Sequence, residues 1–285
     1  MDRGDLMEAL PDDLHKKAAK IARACFFIAM IGFAFCLVLY SGLLIYAKIL
    51  GAPPLAVQQS SLFYSADGSI IAESNNGQER YWVQLKDISP HLVQSVIAVE
   101  DQHFYKHNGF DYKRIAGALV ADLKAGSKVQ GASTITQQYA RNLFLSHEKT
   151  WYRKMNEAFY TKRIELNYTK DEILEGYLNT IYFGHGAYGV QAASQYYFGK
   201  DAADLTVAEA AMLAGIPKGP SYFSPFASWE KAKDRQSVVL AALKNSGYIS
   251  ENEIPEISEE AIRLSGVHQQ REDAAPYFTA AVKQT

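Results

Sequence analysis

Residues Cys25 to Ala47 read CFFIAMIGFAFCLVLYSGLLIYA, 23 consecutive residues without a charge. At about 1.5 Å per residue a helix of this length crosses the hydrocarbon core of a bilayer, where the backbone must bond to itself. The chain is therefore expected to carry a membrane-spanning helix. The rival is a cleaved signal peptide, with an apolar stretch of only about 7–15 residues and a small-residue cleavage site after it. This run is longer and no good site follows, so an uncleaved anchor is expected. Of the ten charges ahead of it five are acidic and five basic, but the four nearest, Lys16, Lys17, Lys20 and Arg23, are all basic. The positive-inside rule then makes residues 1–24 a cytoplasmic tail and puts everything after Lys48 outside.

The 285 residues, 48% of them hydrophobic, suffice for one sizeable core plus appendages. A net charge of −2 excludes bulk electrostatic binding of nucleic acid. Cys25 and Cys36 both lie in the apolar run, which leaves no disulfide framework and no cysteine-based metal site. Gly51-Ala52-Pro53-Pro54 breaks the span and opens a linker, 48–85, in which Leu62 to Ala72 reads as a hairpin turning at Asp67-Gly68. Helical signals follow. Ser89-Pro90 is an N-cap with proline at the first helical position, and Leu92, Val93, Val96 and Ile97 share one face. Thr169-Lys170-Asp171-Glu172, Thr206-Val207-Ala208-Glu209 and Ser250-Glu251-Asn252-Glu253 are capping boxes. The fold class is mainly α, with loops expected at Gly184–Gly189 and Gly215–Pro225. Residues 251–285 read as a linker; Ala275-Pro276-Tyr277-Phe278 looks like the start of another segment.

Chemistry enters at Glu100-Asp101, delivered by the apolar run Val96-Ile97-Ala98-Val99. Adjacent carboxylates there are costly to bury, and such a cost often marks a general acid or base. A second candidate, Glu157, stands in Arg153-Lys154-Met155-Asn156-Glu157. Two carboxylates point to sugar chemistry, where they share the work. The block Gly131-Ala132-Ser133-Thr134-Ile135-Thr136-Gln137-Gln138-Tyr139-Ala140-Arg141-Asn142 supplies hydroxyl and amide partners suited to a hydroxyl-rich or phosphate ligand. It reads equally as a polar helix start with Ser133 or Thr134 as the cap. From Arg141 to Lys170 there are seven Lys or Arg against three Glu, which suits a pyrophosphate. Arg153 and Glu157, four apart, read equally as an ordinary surface ion pair worth a few tenths of a kcal/mol. No His, Asp or Glu cluster has metal-ligand spacing.

In this order the blocks resemble the family 51 glycosyltransferases, the peptidoglycan glycosyltransferase domain of class A penicillin-binding proteins. The resemblance covers about 86–226, in five blocks: Glu100 to Asp111, Gly131 to Leu145, Arg153 to Glu157, Lys170 to Lys200 (with Tyr197-Phe198-Gly199-Lys200), and Leu205 to Pro225 (with Leu213-Ala214-Gly215-Ile216-Pro217). It implies a lysozyme-like helical domain, expected at 86–250, that polymerises lipid II into β-1,4-linked glycan with inversion and releases undecaprenyl pyrophosphate. It makes Glu100 the base for the acceptor 4-hydroxyl and Asp101 its support. Glu157 becomes the residue assisting pyrophosphate departure, directly or through a divalent ion. Ser133, Thr134, Gln137, Gln138, Arg141, Asn142, Arg153 and Lys154 become glycan and pyrophosphate contacts. The chain departs from the family's usual pattern at Ala132, where a glycine is expected, and at Arg141, where a lysine is; the planar fork of Arg replaces a point charge.

No cofactor is required on this reading, with Mg2+ or Mn2+ near Glu157 as the one metal allowed for. The expected partners are lipid II, the growing strand, the bilayer and cell-wall synthesis proteins. The expected location is the outer face of a bacterial cytoplasmic membrane, on a single span. The amphipathic run Tyr112 to Lys124 is a candidate for the membrane interface, or else a core helix. Rival functions are a muramidase or lytic transglycosylase cleaving the same polymer, which needs no basic pyrophosphate site, and a membrane-anchored scaffold. Ser146-His147-Glu148-Lys149 and Ser228-Trp229-Glu230-Lys231 match Ser-x-x-Lys without the partner motifs of a transpeptidase. The tail resembles the bridge to such a domain in bifunctional members.

Overall fold

The computed structural model describes residues 12–55, 61–67, 70–74, 79–127, 131–145 and 150–266. The chain divides into two compact units, Met1–Gly51 and Ala52–Thr285. In the first, α1 runs over Asp12–Ile49, and its stretch Lys20–Ile49 is long and apolar enough to cross a membrane. Large side chains such as Phe26, Ile31, Phe35 and Leu39 are exposed along it, as a bilayer-facing helix requires.

The second unit opens with β1 (Ser61–Tyr64) and β2 (Ile70–Ser74), an antiparallel pair with Leu62 opposite Glu73. This is the expected hairpin; Gly68 of its turn lies outside the described residues. The two-residue strand β3 (Glu79–Arg80) then pairs, in parallel, with the much later β4. Helices follow: α2 (Pro90–Glu100), α3 (Tyr112–Ala125), α4 (Ile135–Phe144), α5 (Trp151–Asn167) and α6 (Lys170–Thr180). After β4 (Ala187–Tyr188) come α7 (Val190–Phe198), α8 (Val207–Gly215), the single turn α9 (Pro220–Phe223), α10 (Trp229–Asn245) and the short α11 (Ile254–Glu259). The fold is mainly helical, as the periodicity predicts.

Local signals set most helix starts. Thr169, Thr206 and Ser250 each cap reciprocally with the glutamate three residues on. Ser89 does precede α2, but its hydroxyl donates to the Leu205 carbonyl at 3.0 Å instead of capping. The stretch 215–225 is not a plain loop: it holds a tight turn over Ile216–Lys218 and then α9.

The core lies where α8 packs against α2 and α10, and where α4 packs against α5 and α6. Ala208, Ala210, Ala211 and Ala214 are buried on every side of α8, and their small size lets the neighbouring helices close in. Tyr139 and Tyr177 fill the α4–α6 contact. Gly176 is required there, since a Cβ would stand 2.1 Å from the Tyr139 hydroxyl. Gly189 enters α7 at φ +81°, a conformation other residues resist, with the Asn179 carbonyl 2.6 Å from where its Cβ would be.

The expected linker 48–85 is in part built into this unit. Trp82 Nε1 and the Leu85 amide donate to the two Glu175 oxygens at 3.1 and 2.8 Å. Asn179 exchanges hydrogen bonds with the Val83 backbone at 2.9 and 2.8 Å. Tyr168 donates to the Pro53 carbonyl at 2.7 Å, and Leu55 packs on the core. Residues 53–85 thus supply hydrogen-bond partners to Tyr168 and to Glu175 and Asn179 of α6.

Candidate active site

Glu100 is the last residue of α2 and only partly buried, so its carboxylate reaches solvent at the end of an apolar helix. It lines a cleft of about 240 Å³ together with Arg114, Ser133, Gln138, Arg141 and Lys218. Four of its wall residues, counting Glu100, are therefore charged, and three of them are cations. Gln138 Nε2 donates to Glu100 Oε2 at 2.7 Å. The orientation of that amide follows from its other end, where the Tyr177 hydroxyl donates to Gln138 Oε1 at 3.1 Å. Burial pushes the Tyr177 hydroxyl well above its ordinary value, and the Glu100 charge adds to the shift. Tyr177 therefore stays protonated as a donor, and the Gln138 NH2 is left to face Glu100. Arg114 donates to the Glu100 carbonyl. From α10, Arg235 donates to the Gly215 carbonyl at 3.4 Å and interacts electrostatically with Glu100.

Asp101, by contrast, is completely buried. Its Oδ2 accepts the Ile135 amide at 3.0 Å, at the N-terminus of α4. His107 Nε2 lies 3.0 Å from both carboxylate oxygens. His107 Nδ1 accepts the Gly109 amide at 3.2 Å, so the proton sits on Nε2 and is donated to Asp101. Asp101 thus ties the end of α2 to the start of α4, which fixes Glu100 relative to Gln138 and Arg141. Asp111 repeats the device for α3. It accepts the Arg114 amide at 2.9 Å and sits 2.7 Å from His103 Nδ1. Burial raises its carboxyl, but these two donors more than reverse that and leave it below its ordinary value.

A second cleft, of about 560 Å³, meets the first at Gln138, Arg141 and Pro217. Asn142, Arg80, Tyr182 and Tyr188 are among its walls.

The profile of the family described as transglycosylase matches residues 67–244. The chain belongs to the transglycosylase family. It is 52% identical over 273 residues to penicillin-binding protein 2D of Bacillus subtilis, a match covering 95% of this chain and 40% of the relative. To penicillin-binding protein 1F of the same organism it is 40% identical over 245 residues, 83% of this chain and 34% of the other. To penicillin-binding protein 1A of Escherichia coli it is 47% identical over 221 residues, 78% and 26%. The chain thus spans less than half the length of these relatives.

Within the transglycosylase region the predicted site residues separate into three groups. Glu100, Ser133, Gln138 and Arg141 line the smaller cleft, and Asn142 the larger. Thr134 and Gln137 are buried and form a capping box at the head of α4, while Thr134 also donates to the Gly109 carbonyl at 2.7 Å. Their polar atoms serve the helix start, and neither residue lines either cleft.

The third group is Arg153, Lys154 and Glu157, none of which lines either cleft. Glu157 is fully buried on α5, with Arg153 Nη1 at 2.9 Å on one oxygen and Lys154 Nζ on the other. It is therefore no exposed surface pair, because a buried carboxylate needs those two cations. A divalent ion does not fit this donor set, since two positive groups already occupy the carboxylate. Among the described residues no three His, Cys, Asp or Glu side chains converge as metal ligands. The wider basic cluster is largely taken up internally as well, Lys170 by Glu165 at 2.7 Å and Lys162 by the Asn108 carbonyl at 2.6 Å.

Three cleft residues escape sequence reasoning. Arg114 lies in a run that reads as an amphipathic helix, Lys218 sits one residue beyond a recognisable Gly-Ile-Pro turn, and Arg80 falls in the apparent linker. Only Lys218 had a signal nearby, in the Gly215–Pro217 block.

Proposed function

We propose that this chain is a peptidoglycan glycosyltransferase that polymerises lipid II into β-1,4-linked glycan, with inversion and release of undecaprenyl pyrophosphate. One observation carries the reading: a single accessible carboxylate, Glu100, is aimed by Gln138 into a cleft whose other charges, Arg114, Arg141 and Lys218, are all positive. The carboxylate takes the proton of the acceptor 4-hydroxyl as that oxygen attacks the anomeric carbon. The bond to the α-linked pyrophosphate breaks on the opposite face, and the cations stabilise the departing charge. Asp101 acts through the backbone by holding α4 in place. Glu157 acts by holding Arg153 and Lys154 in fixed positions, and no step runs through a metal. A cleaving muramidase has no use for three cations around its carboxylate.

The spanning helix suits a substrate with a polyprenyl tail, and the four basic residues before it support a cytoplasmic N-terminus with the catalytic unit outside. α3 supports contact with the same bilayer. Only Ala118 of this helix is buried, while Tyr112, Leu119 and Leu123 are 67, 60 and 73% exposed, so it is no core helix.

Incubation with lipid-linked disaccharide-peptide tests the reading. The wild type is expected to make glycan polymer, and Glu100→Gln to lower the rate by about 100-fold or more, the usual share of a general base. Shortening of preformed glycan without polymer formation would sink it in favour of a lytic enzyme; unchanged activity of the variant would sink the assignment of the base.

A further inference from the structure

Lys218 reaches the Glu100 cleft from a segment with little structure of its own. It ends the tight turn over Ile216–Lys218 that follows α8, closed by the Gly219 amide on the Ile216 carbonyl at 3.0 Å. The single turn α9 comes next, and a helix that short is not stable by itself. Pro217 and Pro220, on either side of Lys218, are cleft walls too. A lysine is a point charge on a flexible stem, so its place in the cleft depends on how firmly its backbone is held.

The hold comes from α10. Arg235 Nε donates to the Gly215 carbonyl at 3.4 Å, ahead of the turn. The same guanidinium lies 5.7 Å from the centre of the Phe223 ring, at the far end of α9. One side chain thus touches the segment at its first residue and at its last. Gly215 makes room for it, since a Cβ there would stand 2.8 Å from Arg235 Cγ. One turn earlier on α10, Lys231 Nζ sits 3.8 Å from the centre of the Tyr222 ring, and that ring meets Phe223 edge-on at 4.9 Å. Lys231 and Arg235 are four apart and share a face of α10. The quadrupole of an aromatic ring attracts a cation over its face, so α10 grips α9 at both aromatics. Arg235 lines neither cleft, so it acts on a substrate only through this segment or through its charge.

Resting on the reading of the Glu100 cleft as the site of pyrophosphate release, we propose that Arg235 is a positioning residue for Lys218. It spans segment 215–223 and fixes where the Lys218 ammonium meets the departing pyrophosphate. Lys218 touches the leaving group; Arg235 sets its place.

The test is calorimetric binding of farnesyl pyrophosphate to the full chain in detergent, which needs no turnover. Lys218→Gln is expected to weaken binding by about tenfold, the loss of one charge-assisted contact, and Arg235→Gln by about fivefold. In the Lys218→Gln background, Arg235→Gln is expected to change affinity by less than about twofold, because residues that act as a unit do not add. Arg235→Lys keeps the charge without the planar fork that meets both anchors, and is expected to weaken binding as Arg235→Gln does. Additive losses, unchanged binding by Arg235→Gln, or wild-type binding by Arg235→Lys would overturn the positioning role and leave the polymerase reading standing. The last of these would assign the effect to charge acting at a distance. Wild-type binding by Lys218→Gln would overturn both. If thermal melts show Arg235→Gln unfolded, Arg235→Lys, alone and with Lys218→Gln, carries the same cycle.

Discussion

At the residue scale, neighbouring side chains of one type have been given opposite work. Glu100 and Asp101 are adjacent, yet the first faces a cleft and the second is sealed under α4 with His107. Helix α2 ends between them, so the chain turns and the two carboxylates diverge. Asp111 shows how such a buried carboxylate affects stability. Its folded pKa lies below the unfolded value near 3.8. Its contribution is therefore fully present above that value and is lost as pH falls through the lower, folded one. Asp111→Ala is expected to lower stability at pH 7 by about 1 kcal/mol, the usual cost of a lost cap acceptor. In urea melts at pH 3 or below the difference should shrink; a pH-independent difference would assign the effect to shape alone. The two carboxylates could be found in the sequence because polar residues after an apolar run are conspicuous. Their division of labour could not, because it depends on where Ile135, 34 residues on, presents its amide.

At the scale of elements, α4 sorts the polar block at its head. Ser133, Thr134, Gln137 and Gln138 look alike as ligand donors, but α4 begins at Ile135 and its geometry allots Thr134 and Gln137 to the cap. Thr134→Ala is expected to cost about 1 kcal/mol in thermal melts and to leave KM for the lipid-linked donor within about twofold. A large rise in KM without destabilisation would restore Thr134 as a substrate contact. α3 makes the converse point. Its apolar stripe was legible from spacing alone, but spacing gives the same stripe for a core helix and an interfacial one. Exposure of Leu119 and Leu123 separates the two. Replacing both by Asp in a chain lacking residues 1–51 is expected to lower the partition into anionic vesicles by about tenfold or more, given about 0.8 kcal/mol per CH2 withdrawn from lipid. Unchanged vesicle binding would remove α3 from the interface.

For the whole molecule, the helical unit reaches back before residue 86. Composition places 48–85 in a linker, but Pro53, Leu55, Trp82, Val83 and Leu85 are all attached to the helical body. A chain beginning at residue 52 is expected to melt cooperatively with full helical circular dichroism. One beginning at residue 86 leaves the Glu175 carboxylate and the Asn179 amide without these four hydrogen bonds, a loss of about 2–6 kcal/mol at about 0.5–1.5 kcal/mol each. Equal melting temperatures would return the segment to the linker. By itself the sequence determined the long apolar helix, the mainly helical class and most helix starts, since charge-free length, capping pairs and apolar period act within a few residues. The tertiary structure decided which polar side chains reach a cleft and which are absorbed in caps and buried pairs. It buried Glu157 between Arg153 and Lys154, and it brought Arg80, Arg114 and Lys218 to cleft walls from three separate parts of the chain. Accessibility is a property of the packed surface, fixed by contacts dozens of residues apart, and no local pattern carries it.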